Sequence, residues 1–301
     1  MVRFGGIKRA LGRAYQDLGR HHTLQVAGAL SYQFVLSVFP GLIFLSAIIG
    51  ILPVRDLFNN VLGFMGRVLP PDAMHIVTGV LRDVLSSNHA TWLSFGTLGI
   101  IWAASAAFAS LIEALDIAYD VEETRPYWKT RLLSVGLAAV SGGLFLTALI
   151  VIVVGPRFGD WVATKFGLSS VFGAVWPTLR WAIAISFTVL AVELIYFLAP
   201  NVRQRFVATL PGAIFSVAVW NGLSFLLGIY FAHFAHFNRT YGTLGGFIAF
   251  MTWLYWTSVA LLVGAELNSE LAKQSKKGSL KPKAPSPAER LEGESVFRPA
   301  A

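Results

Sequence analysis

Four carboxylates, Glu113, Asp116, Glu193 and Glu266, interrupt stretches of sequence that otherwise carry almost no charge. An acid set among apolar residues can bind a cation, exchange a proton or pair with a base, and without one of these partners its burial is costly. Asn221, Gln33 and Ser37 add neutral polar groups to similar surroundings, and Pro40-Gly41 breaks the middle of such a run. Metal chemistry has a weaker basis. His233 and His236 stand three residues apart, with His75 and His89 elsewhere, but no carboxylate or cysteine completes a ligand spacing, so no metal and no cofactor is expected. The chain has no cysteine, which removes disulfides and thiolate sites. Nucleophile elbows, P-loops and zincin motifs are absent, no catalytic residue is assigned, and an enzyme is not the expected class.

The elements that must position these groups follow from composition. The chain has 301 residues, 55% of them hydrophobic and only 13% charged. A helix crosses the hydrocarbon with roughly 20 apolar residues, and an open sheet could not satisfy its backbone there. Six such windows exist, and they predict an all-α polytopic membrane protein with spans at about 23–52, 92–118, 132–155, 178–200, 207–232 and 241–268. The uncharged piece 166–179, which contains Pro177, is left as interfacial or re-entrant. With both termini on the cytoplasmic side, 17 of the 24 Lys and Arg residues fall inside, so the positive-inside rule selects N-in/C-in. The net charge of +8 is then a topology signal rather than a nucleic-acid surface, and no nucleic-acid partner is expected. A bacterial cytoplasmic (inner) membrane suits this layout.

The remaining segments divide the chain into three domains. Residues 1–22 carry Ile7, Leu11, Ala14 and Leu18 at helical spacing opposite Lys8, Arg9, Arg13 and Arg20, the pattern of a basic amphipathic helix on the inner leaflet. Residues 23–272 hold the six spans. Residues 273–301, rich in Lys, Pro, Ser and Glu, read as a disordered cytoplasmic tail. Between the first two spans, "PPD" at 70–72 and the apolar sets around it predict two amphipathic helices on the outer side.

"FPGLIF" at 39–44 and "LPGAIF" at 210–215, with "FGTLG" at 95–99 and "YGTLG" at 241–245, suggest that spans one and two are repeated as five and six. Close helix packing through Gly96, Gly99, Gly242, Gly245 and Gly246 is the plain alternative. Spans two, four and six all run from outside to inside, so every intramembrane acid falls in the cytoplasmic half. That placement predicts either headgroup pairing or an acidic, hydrated vestibule. In the first span Gln33, Ser37 and Pro40 continue a stripe from His22, and Pro40 frees a carbonyl near residue 36 that Ser37 could meet. The stripe is either a structural bend or the lining of a substrate path. Asn221 reads as an interhelical hydrogen bond.

At "ALSYQFVLSVFPGLI", "LIEALDIAYDVEETRPYWKTRLLS", "LPGAIFSVAVW" and "YGTLGGFIAFMTWLYWTSVALLVGAELNSEL" the chain resembles the YihY/virulence factor BrkB family, membrane proteins long mislabelled as ribonuclease BN. The resemblance covers about residues 10–272 and implies six inner-membrane helices with both ends in the cytosol. Its motif positions fall on Ser31, Tyr32, Ser37, Pro40, Tyr119, Arg125, Pro211, Gly212, Gly242, Gly245, Gly264, Ala265, Glu266 and Asn268. Lipid transport across the inner membrane is among the activities it implies. The sequence departs from the family pattern at Gln33 and Asp116.

The functional expectation is a transporter-like protein that moves a lipid or other amphiphile. Its cavity would be lined by Gln33, Ser37, Pro40, Glu113, Asp116, Arg125, Glu193, Asn221 and Glu266, with Arg125 attracting the headgroup. A non-transporting scaffold or assembly factor is the alternative, and a membrane enzyme is third. Membrane lipids are the expected partners; a second copy of the chain and an envelope protein are the open protein partners.

Overall fold

A computed structural model describes residues 12–14, 16–51, 74, 78–79, 89–166, 169–233 and 243–274. Six long helices make up the frame: α1 Thr23–Ile51, α2 His89–Ala118, α3 Tyr127–Phe166, α4 Ser169–Leu198, α5 Phe206–His233 and α6 Thr243–Gln274. All regular structure in the described residues is helical, because a chain this apolar must pair its backbone groups within each segment. Among the described residues, five helices contain stretches long and apolar enough to cross a membrane: Ile101–Ala118, Tyr127–Lys165, Val175–Leu198, Phe206–Phe231 and Gly245–Gln274. α1 has 29 residues and none is charged.

α3 and α4 extend beyond the expected spans. α3 runs 40 residues, about 60 Å at 1.5 Å per residue, straight through Pro156. α4 begins at Ser169 and continues through Pro177, so residues 169–179 of the stretch left as interfacial or re-entrant are about the first third of a continuous helix, and 167 and 168 lie outside the described residues. The Trp176 indole donates to the Gly155 carbonyl at 2.6 Å and ties the hairpin together at this level. The two predicted outer amphipathic helices, and the tail beyond Gln274, lie outside the described residues.

The helices pack as three hairpins, α1 with α2, α3 with α4 and α5 with α6; α6 also lies against α1 and α2, which closes the ring. The starts of α1, α3 and α5 and the ends of α2, α4 and α6 gather at one end, here called the closed end, as hydrogen bonds between those termini show. Every helix contributes to one apolar core at this end, from Ala27 and Leu30 through Leu111, Leu115, Leu137, Ile195 and Val217 to Leu262 and Ala265. Among the described residues that shared core reaches about halfway along the helices. Farther out the hairpins are held by pairwise contacts: Pro40 against Gly99, Phe158 and Phe172 on Trp176, and Trp220 beside Trp253. Exposed Ile214, Phe225, Leu226 and Tyr230 give α5 a broad apolar outward face.

Two contacts explain why α4, α5 and α6 approach so closely. A Cβ on Gly264 would stand 2.6 Å from the Tyr196 hydroxyl, and one on Gly212 would stand 2.3 Å from the Gly264 carbonyl. Only glycine fits either position. The Pro-Gly pairs proposed as repeat partners differ in depth: Pro211 lies in the second turn of α5, whereas Pro40 is the eighteenth residue of α1. Pro211-Gly212 serves the closed end and Pro40 an outer contact, so the two pairs do different jobs.

Candidate functional site

The closed end contains a polar layer built by helix termini. α2 ends with Asp120 in a left-handed conformation at φ 53°, its N–H bonded to the Ile117 carbonyl and the Val121 N–H to the Asp116 carbonyl. This is a Schellman stop with aspartate where glycine is usual. The aspartate carries a function glycine could not supply, because Asp120 Oδ1 meets His21 Nε2 at 2.9 Å and Oδ2 meets Lys273 Nζ at 2.5 Å. His21 Nδ1 lies 2.7 Å from Glu266 Oε1. Both ring nitrogens therefore face carboxylates, and only the imidazolium donates from both. Burial draws the His21 pKa down, but the hydrogen bonds and charges of Glu266 and Asp120 outweigh it and hold the ring above its ordinary value. For Asp120, burial pushes upward and is outweighed by Lys273 and His21, which hold the carboxyl below its usual range.

The latch joins three elements: the segment before α1, the end of α2 and the end of α6. His22 follows at φ 49°, and its carbonyl accepts the first bonds of α1 from Gln25 and Val26. Residues 12–14 and 16–20 are helical, with Ala14 and Asp17 buried against the bundle and Arg13 Nη1 3.8 Å from Glu270. The N-terminal segment thus caps the closed end as well as presenting basic residues outward.

A second group links the α2–α3 and α4–α5 connections. Asn201 donates its backbone N–H to Asp116 Oδ1 at 2.7 Å and its side-chain amide to the Glu122 carbonyl and Thr124 Oγ1. Arg125 grips Glu123 through Nε and Nη2 and donates to the Ala199 carbonyl at 2.7 Å. The third group surrounds Glu193, whose Oε1 accepts from the Thr209 hydroxyl at 2.6 Å. Asn268 spans the adjacent groove, accepting from Gly212 N and donating to the Thr209 carbonyl. The Tyr119 hydroxyl, fully buried, faces Asn268, Gln204 and Glu193. One oxygen on each of Asp116, Tyr119, Glu193, Asn201 and Glu266 has no hydrogen-bond partner.

The predicted site residues divide. Asp116, Glu193 and Glu266 are buried at 3%, 1% and 0% exposure, each in its own hydrogen-bonded group at the closed end, whereas Glu113 on the same α2 turn is exposed. Arg125 joins the layer as a clamp between connections. Gln33, Ser37 and Pro40 are half-buried along α1, outside the layer; Ser37 donates to the Phe34 carbonyl in its own turn, not to residue 36. Asn221 is exposed and donates to Val217 within α5, not across helices. Gly99 meets Pro40, Gly245 and Gly246 are buried in α6, Gly96 lies in α2, and Gly242 falls outside the described residues.

His21, Asp120, Asn201 and Thr209 were not among the predicted residues. The stripe on α1 pointed to His22, which is exposed; His21, one residue earlier, makes the contacts. Its signal was only its place at the mouth of an uncharged run, since its partners lie 99 and 245 residues away. No group of three His, Cys, Asp or Glu side chains suited to a metal ion occurs among the described residues.

Residues 14–289 match the family model described as virulence factor BrkB. Ribonuclease-like protein YfkH of Bacillus subtilis (strain 168) is 32% identical over 256 residues, 85% of this chain and 92% of its own length. A UPF0761 membrane protein of Pseudomonas aeruginosa (strain LESB58) is 24% identical over 216 residues, 68% of this chain, and the chain spans about half (48%) of that relative's length. No solved structure matches.

Proposed function

Because the chain belongs to the virulence factor BrkB family of membrane proteins, we propose that it is a transporter-like, six-span protein of the bacterial cytoplasmic membrane that moves a lipid or other amphiphile, with the closed end as its cytosolic gate. The reading places both termini in the cytosol. Arg13, Arg20, Arg125, Lys129, Arg131, Arg203, Arg205 and Lys273 belong to the closed end, against Arg157, Lys165 and Arg180 among the described residues toward the other, which favours that orientation.

One observation carries the proposal. Three buried acids from α2, α4 and α6 each anchor a separate hydrogen-bonded group at the end where the six helices share their core, while among the described residues the hairpins show no such shared core farther out. A bundle fastened at one end by ion pairs and held elsewhere by separate hairpins can open by moving hairpins as units, the hinge-like change of alternating-access proteins. The latch is the fastening. The space beside His21 and Glu266, lined also by Val26, Ala114, Ile117 and Leu262, is too small to admit water, which fits a gate in its shut state.

That same tight filling favours the second reading, a scaffold or assembly factor in which the polar layer only locks the fold. An enzymatic role is third, since the acids are buried away from any surface that a polymer such as RNA could reach. The test is movement of a fluorescent phospholipid between leaflets of vesicles containing the purified chain. Transport predicts movement above that of protein-free vesicles and an altered rate for His21→Gln. Rates equal to protein-free vesicles for both proteins would refute it.

A further inference from the structure

Arg13, Arg20, Arg125 and Lys273 each pair with a carboxylate, whereas no carboxylate among the described residues pairs with Arg131. Its guanidinium instead lies 5.1 Å from the ring centroid of Trp102, on the neighbouring helix α2, and Nη2 donates to the Trp102 carbonyl at 3.3 Å. Two residues earlier, Lys129 Nζ stands 5.3 Å from the Trp128 ring. The aromatic members face outward: Trp102 is 73% exposed and Trp128 60%. Leu132, 66% exposed, begins the apolar stretch of α3 directly after the two cations.

We propose that this face of α2 and α3, centred on Arg131 and Trp102, binds the phosphate headgroup of an anionic phospholipid. A guanidinium stacked on an indole keeps its N–H edges directed outward, and their planar fork matches phosphate oxygens. Exposed Trp128 at the start of α3 suits the boundary between headgroups and hydrocarbon, and the apolar face of α3 beyond Leu132 is where an acyl chain would run. Two neighbouring cations favour a net anionic lipid over a zwitterionic one. The similar pair Lys165 and Trp161 joins two positions of one helix, 5.7 Å apart, whereas Arg131 and Trp102 bridge two helices and so define a groove. The site stands whether or not the chain transports lipid.

The test is native mass spectrometry of the purified full chain in detergent with added phosphatidylglycerol or phosphatidylcholine. The expected result is preferential retention of phosphatidylglycerol, reduced about fivefold in Arg131→Gln and further when Lys129→Gln is added. Arg131→Lys should retain an intermediate preference. Trp102→Leu, which alters an exposed side chain and leaves both charges, should also lower retention. Equal retention of the two lipids by the unaltered chain, or an unchanged preference in both Arg131→Gln and Trp102→Leu, would overturn the site. Displacement of bound phosphatidylglycerol by millimolar inorganic phosphate would overturn the lipid assignment.

Discussion

Replacing His21 with glutamine tests the latch at its centre. The amide keeps one donor but removes the positive charge that faces Glu266 and Asp120 at once. Glu266 is fully buried and its second oxygen already lacks a partner, so the variant leaves a buried acid without its cation. Removing one member of a buried pair costs about 3–5 kcal/mol. The Asp120 arm is partly exposed and keeps Lys273, so its share is within about 1 kcal/mol. At about 2–4 °C per kcal/mol, the whole change lowers the midpoint of thermal unfolding by roughly 6–24 °C. Intrinsic fluorescence of the chain in nanodiscs reads it. The pH dependence has a definite sign. His21 binds its proton more tightly in the folded chain than unfolded, so its stabilisation is complete below about pH 6.5 and is lost as pH rises through its higher folded value. Asp120 works oppositely: its stabilisation is present above about pH 3.8 and is lost as pH falls through its lower folded value. Asp17, Arg20, Glu270 and Lys273 also face this cluster. An unchanged midpoint and pH profile for His21→Gln would refute the reasoning.

Gly264→Ala puts a methyl 2.6 Å from the Tyr196 hydroxyl and 2.8 Å from the Gly212 carbonyl, and should destabilise by about 3 kcal/mol or more. Gly28→Ala meets nothing within 4 Å and should be neutral or slightly stabilising, so equal midpoints for the two variants would count against the close helix contact. Glu193→Gln retains an acceptor for Thr209 and removes a charge that has no cation in hydrogen-bonding range among the described residues. Its thermal midpoint should match or exceed that of the unaltered chain, and a loss of several degrees would show that the charge itself holds the layer together.

Apolar windows and their punctuation by charge were enough to read the long helices, because in lipid each segment must satisfy its own backbone, and that is a local property. Asp116, Glu193 and Glu266 were legible as unusual for the same reason: burying an acid is expensive wherever the helix packs. Their company was not legible. Glu113 and Asp116 differ by less than one helical turn, yet one faces outward and the other accepts from Asn201, and only the positions of α4 and α5 decide which. His21 finds Asp120 and Glu266 because three chain segments end at one level, a coincidence set by helix lengths and crossings. Asn221 and Ser37 show the converse, polar groups that looked able to reach another helix but bond within their own. Local chemistry determined which segments are helices and which groups need partners. Tertiary packing alone chose those partners, because the contacts join residues up to 245 positions apart.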